Sequence, residues 1–413
     1  MAPTATEIGI TPTTIRIGVI ADVDTAFSPG LFQGTVDGVK GFASFMNANG
    51  ALAGRQVVVD FYDSKLNPDD ARNGIVKACQ TDYALVGTTA LFLNNVDDMV
   101  ACKDMAGAAT GLPEMPELQT EPVQQQAKVS FPISPPVRDW SQPTESYHAQ
   151  VGPQKWLIAN VNGGQPLHGI FIDSAAVKSA DISEKATDAA KARAGVAIDQ
   201  AFGFIGLESQ SQYTPVVQAI KSHASTYAES GLDLISVVKM RKEANVQGVT
   251  SVKAWLCGFQ CYDQKLLSAG GPDVEGEYVW TSLIPFQEAS SAKGVKEYLD
   301  SVGAAKANGF GLQGFATGLL FRDSVNAIVK DKGVNGLTRS ALLTQLASTH
   351  TFTGDGILGN VDIAGNQNGK GALPCWAMLQ VKNNRFERVY PAQPGTFDCS
   401  PSNILAFQDH LAG

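Results

Sequence analysis

TIRIGVIADVDTAFSPGLFQG, residues 14–34, is the stretch that decides the fold. Ile15, Ile17, Val19 and Ile20 make the kind of apolar run found in a strand covered on both faces. Asp22 to Gly34 then gathers acidic, aromatic, hydroxyl and turn residues in one loop. Val36, Val39, Ala43 and Met46 follow at helical spacing, and Asn49–Gly50 offers a left-handed stop. A second strand is expected over 57–62, and Asn67–Pro68 supplies an N-cap and a first-turn proline for a second helix. A strand at 84–87, a helix near 94–102 and a strand at 106–109 continue the alternation. Strands alternating with helices predict a parallel sheet whose functional loops leave the carboxyl ends of its strands.

The chain has 413 residues, enough for two domains with full cores. Its net charge of −9 argues against nucleic acid and anionic membrane as main partners. No apolar run is long enough to span a bilayer. The start, MAPTATEIGI, is not a secretory leader. An exported protein would show it only after its leader had been removed, and a cytosolic protein is the alternative. Cys79 and Cys102 fall at the ends of consecutive predicted helices, Cys257 and Cys261 bracket the turn CGFQC, and Cys375 and Cys399 frame the tail. These placements favour three local disulfides and an oxidising compartment over six reduced, buried thiols. No CxxC pair or neighbouring histidine completes a zinc set, so no metal is expected.

The Pro- and Ser-rich segment FPISPPVRDWSQPTES, residues 131–146, breaks the alternation and reads as a first crossing between domains. A second α/β block follows. Strands are predicted at 167–173, 202–205, 232–238, 254–259 and 278–284, with helices at 181–194 and 213–223. Residues 290–348 are mostly helical and must pack on one of the two sheets. Gly-rich turns and short strands begin at Thr351. The domains therefore read as discontinuous: 13–135 plus 286–350, and 136–285 plus 351–413.

In this order and spacing, TIRIGVIADVD, GVKGFASFMNANG, VVVDFYDSKLNPDDARNGIVKAC and ALVG resemble the opening of type I periplasmic solute-binding proteins of ABC transporters, in the branch of the leucine/isoleucine/valine-binding proteins. The resemblance implies an α/β fold of two doubly wound parallel-sheet lobes joined by a three-strand hinge. It implies an extracytoplasmic protein, free or lipid-anchored. Such a protein would close on a small-molecule ligand in a cleft and pass it to ABC permease subunits, as a monomer and without a cofactor. Physically, strand-end loops and helix N-termini facing a cleft suit ligand capture by hinge closure.

Carried over by motif, the resemblance points to Asp24 and Phe27 after the first strand, and to Thr88, Thr89, Ala90 and Phe92 after ALVG. It adds Ala108, Ala109 and Thr110 after DMAGAA. In lobe two it adds Asp173, Lys239, Gln260 and Tyr262, with Phe286 at a crossing. Bland alternatives stand beside these: packing for Phe27 and Phe92, a helix cap for Asp24, an interlobe ion pair for Asp173, and a shield over CGFQC for Tyr262. Amino-acid binders of the family have a Ser/Thr-rich turn where this chain has Thr88 and Thr89 followed by Ala90, Leu91, Phe92 and Leu93. The place of their usual acidic residue reads Gln260–Cys261–Tyr262–Asp263. Gln260 cannot balance a buried ammonium, which favours a small hydrophobic or aromatic carboxylate as ligand alongside a branched-chain amino acid.

An enzyme is not expected. No GxGxxG follows the first strand, and no Walker A sequence, HExxH or GxSxG is present. CGFQC has one residue too many for a CxxC redox motif, and the five histidines are scattered. A sensor module feeding a signalling receptor remains the alternative to transport, with an enzyme on the same fold behind it.

Overall fold

The computed structural model describes residues 2–25, 28–135, 138–139, 146–175, 178–369 and 371–408. The chain divides into two compact units, Met1–Pro143 with Pro285–Ala372, and Thr144–Ile284 with Leu373–Gly413.

The first unit opens with β1 (Thr14–Ala21), α1 (Gln33–Ala48), β2 (Gln56–Asp63), α2 (Pro68–Thr81), β3 (Ala84–Val86), α3 (Asp97–Val100) and β4 (Glu114–Met115). The four strands pair in parallel in the order β2–β1–β3–β4. Ile15, Ile17, Val19 and Ile20 are fully buried, as a strand covered on both faces requires. On one face, Ile75 and Ala78 of α2 pack with Ile20, Leu85 and Met99. On the other, α1 packs against the helix Gly309–Lys332, with Phe42 edge-on to Phe315. The approach is close enough to demand glycine. A Cβ at Gly38 would lie 2.0 Å from the Gly311 carbonyl oxygen, and one at Gly318 would lie 2.3 Å from the Phe42 ring. This is where the helical block after residue 290 goes.

Asn67 caps α2 as its sequence predicts, accepting from the N–H groups of Asp69 (2.8 Å) and Asp70 (3.1 Å). All three expected disulfides form: Cys79–Cys102, Cys257–Cys261 and Cys375–Cys399.

Three sequence expectations give way. Residues 106–109 are not a strand. The Asp104 carboxylate accepts from the N–H groups of Ala106 and Ala108 and from the Thr110 hydroxyl, and Gly107 has a φ of 84°. This side-chain turn competes with extended pairing, and the fourth strand is Glu114–Met115 instead. Residues 232–238 are not a strand either. Asp233 accepts from the Ser236 N–H and starts the helix Leu234–Val246, while the strand is Tyr227–Ser230. Residues 351–372 belong to the first unit rather than to the tail. Asp355 is held there by Lys293 (2.9 Å) and by both terminal nitrogens of Arg322 (2.9 and 3.1 Å), and Phe352 bridges Val361.

The second unit is built on a seven-stranded sheet in the order Arg385–Tyr390, Ala377–Lys382, Tyr278–Thr281, Ala254–Cys257, Tyr227–Ser230, Leu167–Ser174, Val196–Phe204. The last five run parallel, and the two tail strands add antiparallel to one edge. One face is covered by Leu157, Trp156 and Trp376, the other by Tyr213, Val216, Ile220 and Met240. Of the predicted crossing at 131–146, residues 136–137 and 140–145 lie outside the described residues.

Candidate functional site

In the first unit, Asp22 directly follows β1 and is fully buried. Its Oδ1 accepts from the Ser64 hydroxyl (2.7 Å) and the Leu66 N–H (2.6 Å), and its Oδ2 from the Leu91 N–H (2.8 Å). One carboxylate thus ties the loops after β1, β2 and β3 together. Burial raises its pKa, against the lowering effect of these three donors. Asp63 does similar work beside it, accepting from the N–H groups of Val23 (3.1 Å) and Asp24 (2.9 Å).

Held by this frame, Thr88 and Thr89 sit fully buried at the carboxyl end of β3. The Thr89 hydroxyl has no hydrogen-bond partner, and the Thr88 hydroxyl lies against the Glu114 carboxylate without a well-directed hydrogen bond. The Thr88 carbonyl accepts from the N–H groups of Glu117 (3.1 Å) and Leu118 (3.2 Å), which brings the loop after β4 alongside. The Glu117 side chain is buried there with both oxygens unpaired, and the Thr35 hydroxyl lies against it without a well-directed hydrogen bond. Burial pushes the Glu117 carboxyl well above the usual range. Buried polar atoms left unmatched cost roughly 1–3 kcal/mol each and are few in native proteins. Thr88, Thr89 and Glu117 bring such atoms together at the carboxyl ends of β3 and β4, the edge at which a parallel sheet presents its functional loops.

In the second unit, a cavity of about 150 Å³ opens at the carboxyl ends of four adjacent parallel strands. Asp173, Ser230, Gly258 and Trp280 contribute from the strands or just after them, and Glu184, Asp188 and Lys191 from the helix Lys178–Arg193. A Cβ at Gly231 would come within 2.6 Å of Glu184 Oε1, so glycine keeps this wall open. Lys191 Nζ lies 3.0 Å from Glu229 Oε2, 3.3 Å from Asp188 Oδ1 and 5.1 Å from the centre of the Phe171 ring. Burial works to lower the lysine's pKa, but Glu229 and Asp188 outweigh it and hold the ammonium charged. Glu229 also accepts from the Tyr227 hydroxyl, and Glu184 from the Ser174 N–H. Burial raises Asp173, Asp188 (to about 7) and Glu184 (to about 8).

Of the residues proposed from sequence, the first unit gathers Thr88, Thr89 and Ala90 at one strand end, with Phe92 half-buried beyond them. Asp24 is exposed and caps nothing, since α1 starts after Phe32 without a side-chain cap. Phe27 lies outside the described residues. Ala108, Ala109 and Thr110 precede β4, in the Asp104 turn, and are not at the carboxyl ends. Phe286 stacks on Tyr298, ring centres 5.9 Å apart. In the second unit, Asp173 and Gln260 line the cavity. Lys239 is within a helix, its ammonium donating to the Glu208 carbonyl (2.7 Å). Tyr262 is buried edge-on against Phe386, and Asp263 caps the helix Gln264–Gly270. The sequence reading missed Asp22, Thr35, Glu117, Glu184, Asp188, Lys191 and Glu229.

Residues 14–385 match the model of a family described as periplasmic binding protein. No curated protein matches the sequence. Among solved structures, the chain is similar to an ABC transporter substrate-binding protein from Aeropyrum pernix, at 13% identity over 94% of this chain and 97% of that one, with a TM-score of 0.72. It is similar to a leucine-binding protein, LivK, from Thermotoga maritima, at 16% identity over 91% and 97%, TM-score 0.69. A solute-binding protein of an ABC transporter from R. palustris, in complex with benzoate, aligns at 14% identity over 96% and 98%, TM-score 0.67. At these identities the likeness is one of fold: the type I arrangement of parallel-sheet lobes.

Proposed function

We propose, from the premise that this chain belongs to the periplasmic binding protein family, that it is the extracytoplasmic solute-binding component of an ABC importer. It takes up a small organic ligand on the strand-end loops and delivers it to permease subunits. Capture by closure of the lobes is the mode the sequence resemblance implies. The observation that carries the reading is the set of unsatisfied, buried groups at the carboxyl ends of β3 and β4: Thr88, Thr89 and Glu117. In an open parallel sheet, that is the edge at which ligands bind. A further observation supports export: three disulfides close within the chain. Among the described residues no helix is long and apolar enough to cross a membrane.

The protein acts by binding, as a monomer, without turnover and without nucleic acid. Thermal unfolding against amino acids, amines and small aromatic and aliphatic acids tests this. A ligand at about a thousand times its dissociation constant adds roughly 4 kcal/mol. The expected result is one bound ligand per chain, recovered unchanged, that stimulates ATP hydrolysis by reconstituted permease. Chemical conversion of the ligand would assign an enzyme instead. Binding without any stimulation, alongside transfer of the signal to a receptor kinase, would assign a sensor.

A further inference from the structure

Arg339 opens the helix Arg339–Leu346 of the first unit, and it is fully buried. Its Nη1 donates to the Lys103 carbonyl (2.8 Å) and to Cys102 Sγ (2.9 Å), and its Nη2 to the carbonyls of Cys79 (2.9 Å) and Asp82 (2.6 Å). Nε has no partner. No carboxylate among the described residues bonds to the guanidinium: its acceptors are three carbonyl oxygens and one sulfur. Three acids stand near enough to feel the charge, Glu7, Asp82 and Asp104. Each is engaged elsewhere. Glu7 accepts from the backbone N–H groups of Ile8, Met105 and Arg339. Asp82 accepts from the Tyr62 hydroxyl (2.7 Å), and Asp104 from its own turn. A guanidinium taken out of water without an anion beside it is costly.

The sulfur that Arg339 touches can become that anion. Cys102 is 2% exposed and bonded to Cys79, which is half-buried near the end of α2. We infer that Cys79–Cys102 is a thiol-exchange site, opened by an external thiolate that attacks Cys79 while Arg339 receives the Cys102 sulfur as a thiolate. The co-reactant is a dithiol, small or on a protein. Its first thiolate forms a bond to Cys79 Sγ; the Cys79–Cys102 bond breaks, and its electron pair leaves on Cys102 Sγ. Its second thiolate then displaces Cys79, which takes a proton from water. The dithiol ends as a disulfide and the bridge as two reduced cysteines.

Exchange of this kind is favoured when the leaving sulfur is a stabilised thiolate and the attacked sulfur is accessible. The arrangement supplies both, on different cysteines. Among the described residues no arginine or lysine donates to a sulfur of the other two bridges. The opened form keeps its fold, because an Arg339–Cys102 ion pair stands where the bridge stood and the three carbonyl bonds of Arg339 remain. It presents the Cys79 thiol at the surface for pairing with another thiol. The bridge lies beside Asp82, at the amino end of β3, away from Thr88 and Thr89 at the carboxyl end. The inference therefore goes beyond the solute-binding reading and stands or falls without it.

Two measurements on the full chain test it. In the first, the folded protein is equilibrated in mixtures of reduced and oxidised dithiothreitol, trapped with iodoacetamide and mapped by peptide mass spectrometry. Cys79–Cys102 should be reduced roughly tenfold or more readily than Cys375–Cys399, although Cys399 is exposed. In the second, Cys79→Ser leaves Cys102 as the one free thiol, whose ionisation is read by ultraviolet thiolate absorbance. Arg339 draws the thiol pKa down, while burial and the acids around the guanidinium, Glu7, Asp82 and Asp104, with Tyr83, oppose it. The expected pKa is about 7.5 or lower, against about 8.5 for a free cysteine. Adding Arg339→Gln should raise it by about one unit or more. Arg339→Lys keeps the charge and should retain part of the lowering, so it reads the same contact if the glutamine variant folds poorly. Reduction of Cys79–Cys102 within tenfold of Cys375–Cys399, a Cys102 pKa above about 7.5, or a pKa that ignores both Arg339 variants would each overturn the inference.

Discussion

Glu117 and Asp22 are both buried acids, and they differ in what surrounds them. Asp22 meets three donors and ties three loops together. Asp22→Ala strands those donors, and a loss of roughly 3 kcal/mol is expected by denaturant unfolding of the variant against wild type. Glu117 meets no donor that satisfies it. Its carboxyl stays protonated far above the usual range, so its ionisation works against the fold as pH rises. Glu117→Gln keeps the shape and removes that ionisation. The variant should therefore melt higher than wild type, with a gap at pH 8.5 larger than at pH 6. Equal melting curves at both values would mean that water or an unseen donor reaches Glu117. The sequence displays Asp22 at the end of a strand, where a buried acid has an organising role, but nothing local distinguishes it from Asp24, which is exposed. Only the convergence of Ser64, Leu66 and Leu91, far apart in the chain, separates the two.

Elements were legible where periodicity and punctuation agreed. β1, α1, β2 and α2 carry both signals: an apolar run or helical stripe, and a glycine, asparagine or proline at the boundary. Cys79–Cys102 was legible for the same reason, from predicted helix ends, while Cys257–Cys261 was legible from the short turn it brackets and Cys375–Cys399 from its place around the tail. The misread elements are short ones. LDLISVV is too brief for periodicity to separate strand from helix, and the deciding signal was its aspartate. Asp233 accepts from the Ser236 N–H at 2.9 Å and starts a helix that carries Lys239 away from any strand end. Asp233→Ala should cost about 1 kcal/mol, measurable as a lower urea midpoint with little change in slope. A cost near zero would show that the helix is held by packing alone. The helix Lys178–Arg193 failed in the opposite way. Its alanine-rich, polar sequence reads as a solvated surface helix. Yet Glu184, Asp188 and Lys191 stand four and three residues apart, on one face, and Ala186 and Ala190 are fully buried. Charges at that spacing, following directly on a strand that ends in Asp173, were the available sign that this face looks over the strand ends.

For the molecule as a whole, the buried acids fix the direction in which stability responds to pH. Asp82 and Asp188 are pushed from 3.8 up to about 7, Glu277 from 4.5 to about 7, and Glu184 from 4.5 to about 8. Burial is the leading cause in each. Asp82 is also raised by Asp60, while Arg241 pulls Glu277 down and Lys191 pulls Asp188 down without reversing the shift. Between about pH 4 and 8 the folded chain therefore binds more protons at these sites than the unfolded chain. Stability is then fully present below the unfolded values and falls as pH rises through 7 to 8. Acids shifted the other way, Asp104, Asp355 and Glu243, lose their contribution only as pH falls through their depressed values, so they do not offset this trend near neutrality. All four ionisations are opposed by the fold, so their effects act in the same direction on the melting temperature. Melting at constant ionic strength from pH 5 to 8.5 should show a steady fall for the ligand-free protein. Asp188→Asn with Glu184→Gln should flatten part of that fall, and Asp82→Asn with Glu277→Gln another part, because each pair removes ionisations that the fold opposes. Asp82 lies in the first unit, and Glu277, in the second unit with Asp188 and Glu184, faces Arg241 rather than either of them, so the two contributions should add. A wild-type melting temperature that rises over this range would mean that these carboxyls are solvated or paired in solution.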